Sequence, residues 1–233
     1  MRTILIQGAM DVEIDKLIEF YLPKKQETIA GFEFWIAEYK GARIVISKTK
    51  IGIINCTQAT TIAVLKFEPD VVINQGCAGG AVENLSVGDM VIGESAVYIN
   101  DFKPPEKDRG EGSNSLEWVP NPKRSYLVES SPELLEVVKT IEGFDKFNFG
   151  VLGSGDVFTR ERDRICYLTS LFNHLCEDME TIAAFKTCED FKIKRIGFRV
   201  ISNNELTGEK LDKSATKLAQ DLTIKFVDKI LKI

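Results

Sequence analysis

Short apolar runs rich in β-branched residues, each ending in glycine or a small polar residue, recur along this sequence with amphipathic stretches between them. Residues 3–7 (TILIQ) run into Gly8, and 71–74 (VVIN) into Gly76-Cys77-Ala78-Gly79-Gly80. Residues 147–152 run into Gly153-Ser154-Gly155-Asp156, and 195–201 into Ser202-Asn203-Asn204. Short apolar runs recurring between amphipathic stretches are the pattern of strands covered by helices. The fold class is therefore α/β. In open α/β sheets ligands bind beyond the carboxyl ends of strands, so these four loops are expected to converge on one site.

The remaining elements follow from the same patterning. A helix carries Val12, Leu17, Ile18 and Tyr21 at helical spacing. Strands over 32–38 and 43–47 flank a hairpin turn at Lys40-Gly41-Ala42. A helix over 53–67 is closed by Pro69, a strand over 71–74 ends in the glycine cluster, and another covers 89–96. Beyond it, a helix is expected near 132–141, a strand near 147–152, a helix from about 160, a strand near Leu175, a helix from about Glu180, a strand over 195–201 and an amphipathic helix from about 212. Residues 101–125 are rich in Pro, Gly, Asn and charge, and a loop of that length inside a compact domain is read as functional, either a lid or a subunit contact. No internal repeat or linker divides the chain, so residues 1–233 are expected to form one domain.

Charge and composition exclude several function classes. With 30 Lys and Arg against 35 Asp and Glu, and no clustering of the basic residues, nucleic acid is not the expected partner. No apolar stretch reaches the ~20 residues of a membrane helix, and the expected location is the cytoplasm. Cys56, Cys77, Cys166, Cys176 and Cys188 lack the close pairing of zinc sites, and His174 is the one histidine. Neither metal nor cofactor is expected.

None of the four loops is a Walker loop or a GxGxxG fingerprint. Taken together, however, IQGAMDVE (6–13), SKTKIGI (47–53), INQGCAGG (73–80), VGDMV (87–91), GSGDVF (153–158), DME (178–180) and FRVISN (198–203) lie in the order and near the spacing of one family. On these motifs the chain resembles the bacterial methylthioadenosine/S-adenosylhomocysteine nucleosidases and, more widely, the nucleoside phosphorylase superfamily. The resemblance implies a three-layer α/β sandwich around a central mixed sheet, a homodimer, and metal-free hydrolysis of the purine–ribose bond. It further implies that Glu13 holds the attacking water, with Arg199 organising that network. Glu180 would accept the ribose hydroxyls and Met179 pack under the sugar. Phe158 would stack on the purine, Thr159 read its edge through the backbone, and Ile51 and Met10 line the sugar and 5′ side. Cys77, Ala78, Gly79 and Ser202 would complete the wall of the substrate site.

The residue types suit that chemistry by themselves. Breaking a glycosidic bond passes through an oxocarbenium-like cation, which nearby carboxylates stabilise while one of them orients water. A vicinal diol is matched by one carboxylate accepting two hydrogen bonds. Arg199 sits within an apolar strand, where an unpaired guanidinium would be costly, so it needs a buried partner. Phosphorylases of the superfamily hold phosphate with cationic side chains, whereas the corresponding stretches here, 8–13 and 73–76, contain no Arg or Lys. Water is thus the expected nucleophile.

Two departures stand out against the resemblance. Asn203 occupies the position at which the nucleosidases carry the Asp that protonates adenine N7, and an amide can donate a hydrogen bond but cannot deliver a proton. Three readings are open: a 6-oxopurine substrate, cleaved by a hydrolase or a phosphorylase; a substituted acid that traps substrate; or a purine-nucleoside binder that has lost turnover. Asp156 and Glu205 are the nearest alternative acids. The second departure is on the 5′ side, where Asp212 and Lys213 stand in place of the family's aromatic and Asn100-Asp101-Phe102 in place of its His-Asp-Ala-Asp stretch.

Overall fold

The computed structural model describes residues 1–121 and 126–232. Its strands are β1 Thr3–Gly8, β2 Lys25–Ile29, β3 Phe32–Tyr39, β4 Ala42–Lys48, β5 Val71–Gly80, β6 Met90–Tyr98, β7 Phe102–Lys103, β8 Val119–Pro120, β9 Leu127–Glu129, β10 Asn148–Ser154, β11 His174–Asp178 and β12 Lys194–Asn204. The helices are α1 Asp15–Tyr21, α2 Ile53–Phe67, α3 Pro132–Val138, α4 Arg162–Phe172, α5 Thr181–Asp190 and α6 Thr216–Ile230.

One mixed sheet runs in the order β11-β10-β6-β12-β5-β1-β4-β3-β2, with β9 added to β6. Its central strands β4, β1, β5 and β12 are parallel neighbours, while β6 meets β12 antiparallel and β3 meets both β2 and β4 antiparallel. At the far side β11 returns to β5 through the antiparallel pairs Cys176↔Gly80 and Glu177↔Gly79. The pairing β5-β12-β6-β10-β11 therefore closes on itself into a ring.

Period-two patterning divides the core into two layers. Ile4, Ile6, Ile44, Ile46, Val71 and Ile73 pack towards α1, α3 and α6. Their neighbours Leu5, Val45 and Val72 point the other way, onto Ala59, Ala63 and Phe67 of α2 and Cys188 of α5. Helix, sheet and helix are thus stacked in the three-layer α/β arrangement expected. Lys40 (φ 49°) and Gly41 (φ 80°) take the two left-handed positions of the β3–β4 turn, which matches the twist of the flanking strands.

The structure differs from the sequence expectations at several places. Strand β5 does not stop at Asn74 but continues to Gly80, because β12 pairs with it along that whole length. The helix expected from Val12 begins at Asp15; Asp11–Glu13 form a 3-10 turn and Val12 is exposed. The polar strand β2 was not foreseen, since Lys25-Gln26-Glu27-Thr28 carries no apolar run. The described part of the 101–125 loop is a strap clasped by α4. The Arg164 guanidinium lies 4.4 Å from the Phe102 ring centroid and 5.7 Å from that of Trp118, and donates to the Ser115 carbonyl. Tyr167 Oη donates to the Trp118 carbonyl at 2.6 Å. Residues 122–125 of that loop lie outside the described residues. No helix among the described residues is long and apolar enough to cross a membrane.

Candidate active site

Residues 76–80 of β5 act as the spine of the site. Glu13 leaves the 3-10 turn after β1 and lies over Gly76, where an added Cβ would stand 2.5 Å from its Oε1. Only glycine leaves room for the carboxylate there. Glu13 is 3% exposed, so it is not an ordinary solvated charge. Its Oε2 accepts from the N–H groups of Ala9 at 2.7 Å and Met10 at 3.1 Å, and its Oε1 from the N–H of Cys77 at 3.0 Å. A carboxylate has about four lone-pair sites, so three backbone donors leave room for one more, such as a water. Gln75 Nε2 donates to the Glu13 carbonyl at 2.7 Å and fixes the turn itself.

Farther along β5, Ser202 Oγ donates to the Ala78 carbonyl at 3.2 Å and to Asn203 Oδ1 at 3.1 Å. Asn203 packs beside Gly79, with which it is paired across the strands, and is 3% exposed. Asn204 has a different job: its Nδ2 donates to the carbonyls of Val82 and Leu85, using both amide protons, and its Oδ1 accepts from Leu206 N–H. Of the two adjacent amides, Asn203 lines the cavity and Asn204 ties the turn.

The opposite wall is the junction of β11 with α5. Glu180 stands at the N-cap of α5, and its Oε1 accepts from Gly52 N–H at 2.9 Å, at the start of α2. Gly52 holds φ at 102°, a left-handed-side conformation, and an added Cβ would meet Asp156 Oδ1 at 2.9 Å. Burial pushes the Glu180 carboxyl up to about 8, with repulsion from Asp178 and Glu13 adding to it against the pull of Arg199. Arg199 has the buried partner its sequence context demanded, namely Asp178, at 3.0 Å. Its other N–H groups donate to the Asn74 side chain and to the Asn74 and Phe198 carbonyls. Burial opposes the guanidinium charge, but Asp178, Glu180 and Glu13 outweigh it and hold the group protonated. Arg199 therefore bonds Asp178 and Asn74, not Glu13.

Gly79, Phe158, Thr159, Met179 and Asn203 border one cavity, together with Val157, Ile165, Glu177 and Glu205. With this arrangement in view, comparison with known proteins is decisive about kinship. Residues 3–232 match the family model described as the Phosphorylase superfamily. The chain belongs to the phosphorylase superfamily. It is 30% identical over 209 residues to the 5'-methylthioadenosine/S-adenosylhomocysteine nucleosidase of Marinomonas sp., covering 87% of this chain and 86% of that one. Among solved structures, an Asp-to-Asn mutant of the Helicobacter pylori nucleosidase, with 5'-methylthioadenosine in its active site, superposes with a TM-score of 0.82 at 26% identity, covering 98% of this chain and 99% of that one. A futalosine hydrolase mutant of Helicobacter pylori strain 26695 gives 0.83 at 25% identity, covering 98% and 100%.

Within this superfamily fold, the sequence-derived candidates fall into three groups by exposure. Glu13, Glu180, Arg199, Ser202 and Asn203 are buried, as is Ala78, whereas Cys77, Gly79, Met10, Met179 and Thr159 are half-buried. Phe158 and Ile51 are 55% and 50% exposed, which removes a core-packing explanation for either. Met10 and Ile51 do not border the cavity that holds Phe158 and Asn203, and neither do Glu13, Glu180, Arg199, Cys77, Ala78 and Ser202; Met10 and Ile51 flank Glu13 and Gly52. The Cys77 thiol is pushed up to about 12, first by burial and then by Glu13. Of the alternative acids, Asp156 Oδ1 accepts from Ile53 N–H at 2.8 Å, while Glu205 borders the cavity beside Asn203. Sequence reasoning named the DME motif but overlooked Asp178; the signal was Arg199, whose strand context called for a buried acid.

Proposed function

We propose that this chain is a purine nucleosidase that hydrolyses the N-glycosidic bond of nucleosides like methylthioadenosine and S-adenosylhomocysteine, with water as nucleophile. The observation that carries the choice of water is the seat of Glu13. The N–H groups of Ala9, Met10 and Cys77 form a cradle of the kind that binds anions, and the Glu13 carboxylate already fills it. Phosphate would meet a fixed negative charge there, whereas water can donate to the remaining lone pair. In the reaction the water oxygen bonds to C1′ as C1′–N9 breaks, Glu13 takes the water proton, and the base leaves with the bonding pair. Glu180 accepts the ribose hydroxyls, Met179 supports the sugar, Phe158 stacks on the base and Thr159 reads its edge. Arg199 acts from behind, through Asp178 and Asn74. The relatives that are nucleosidases support this reading.

Base release with and without phosphate tests it. Release at equal rates in both conditions, and its loss in Glu13→Gln, is expected. Release that requires phosphate would overturn the role of water.

Asn203 favours a second reading of the base. Ser202 Oγ lies 3.1 Å from its carbonyl, and the amide borders the cavity as a hydrogen-bond donor with no proton to transfer. A 6-oxopurine, which offers O6 and N7 as acceptors, suits such a donor, and inosine would then be cleaved faster than adenosine. If neither is cleaved but both bind, the protein is a nucleoside binder. We further propose that the protein acts in the cytoplasm as a homodimer. Ile53 N–H on Asp156 brings the exposed Ile51 and Ile54 beside the exposed Val157 and Phe158, an apolar patch at the mouth of the site. Sedimentation at a monomer mass would refute the dimer.

A further inference from the structure

More donors converge on the buried Asp178 carboxylate than it has lone pairs. Its Oδ1 accepts from Ser154 Oγ at 2.7 Å and from the N–H groups of Glu180 and Thr181, both at 2.9 Å. Its Oδ2 accepts from Arg199 Nε at 3.0 Å and from Thr181 Oγ. Ser154 Oγ in turn accepts from Ile182 N–H at 3.1 Å. The donors come from the end of β10, the middle of β12 and the start of α5, so one carboxylate pins three elements where they meet. Asp178 also borders the cavity with Met179 and Asn203. With its lone pairs spent, it has nothing left to offer a substrate.

What it does fix is Glu180. The Glu180 N–H is held by Asp178, the helix turn that follows is capped by it, and the Glu180 side chain then reaches Gly52. A carboxyl that must accept hydroxyls in one geometry needs its backbone held from behind, since small displacements at such a site are costly.

We propose that Asp178 is the positioning residue for Glu180, setting the grip of the site on the ribose diol, with Arg199 as its buried ion-pair partner. This rests on the nucleosidase reading, in which Glu180 accepts the sugar hydroxyls. The consequence is selective: loss of Asp178 weakens nucleosides that carry the diol and spares those that do not.

The test is equilibrium binding of 5′-methylthio-7-deazaadenosine, which has no N7 to protonate and resists cleavage, and of its 2′,3′-dideoxy counterpart. Each is titrated against the wild-type protein, Asp178→Asn and Thr181→Val. Asp178→Asn is expected to weaken the diol-bearing ligand about 10-fold, the scale of a lost hydrogen bond, and the dideoxy ligand less than about threefold. Thr181→Val keeps its shape, removes one donor, and is expected to act in the same sense by about threefold. It also carries the test if Asp178→Asn does not fold. Equal weakening of both ligands in a folded variant, or weakening of neither, overturns the proposal while leaving the nucleosidase reading intact. Failure of the wild-type protein to bind either ligand removes that reading and the proposal with it.

Discussion

Glu180 is a site carboxyl held far from its ordinary state. Burial, with Asp178 and Glu13 nearby, lifts its carboxyl from 4.5 to about 8, so between those limits the folded protein keeps a proton that the unfolded chain releases. The folded state binds more protons across that window, and stability falls as pH rises through it. Glu180→Gln should therefore gain in Tm relative to wild type as pH is raised from about 5 to 9, a trend thermal unfolding at both ends would check. A constant difference would mean that the carboxyl is not strained by ionisation. Asn203 carries the second prediction. Asn203→Asp restores a group able to protonate a purine, and adenine release from methylthioadenosine should rise by ~10²–10⁴-fold, as general acids commonly contribute. No rise in a continuous assay of free adenine would show that the missing acid does not limit the rate. Glu180 and Asn203 were legible from sequence because they lie in the DME and FRVISN motifs through which the chain resembles the nucleosidases. Asp178 was not, because a carboxylate that precedes two named neighbours shows its five-donor setting only once β10, β12 and α5 are brought together.

At the scale of elements, the strands with continuous apolar runs and α2 were read close to their observed ends, since both patterning and propensity point the same way. Strand β5 shows where local reading stops. A run of Gly, Cys and Ala has weak strand preference, and it is extended because β12 and β11 pair with it. The glycines in that run have a second use. Gly76→Ala would push a methyl group to within 2.5 Å of Glu13 Oε1, so either the carboxylate or the strand must shift. The expected outcome is a stability loss of about 1–3 kcal/mol with a much larger fall in kcat than in KM, measured by urea unfolding and steady-state kinetics. Unchanged kinetics would mean that the Glu13 seat tolerates displacement. The strap of 102–120 was recognised as a special segment from composition, but its clasp by Arg164 depends on α4, which is distant in sequence.

For the molecule as a whole, the neighbours β1, β5 and β12 come from the beginning, middle and end of the sequence. No portion of the central sheet is complete without all three. Unfolding should be a single transition, with far-UV circular dichroism and Trp35 fluorescence superimposing in urea when measured on a Trp118→Phe variant. Two separated transitions would divide the chain into units. Ring closure of β5, β12, β6, β10 and β11 also bears on how the protein survives crowding. A strand that finds partners on both sides cannot recruit a stranger, and among the described strands β2, at the end of the sheet order, is the longest that keeps one side open. That strand begins Lys25-Gln26-Glu27, with Lys25 paired to Glu27 at 2.6 Å, and a flat apolar template for amyloid-like growth is missing there. The polarity that hid β2 from pattern reading is the same property that guards the molecule's rim against aggregation.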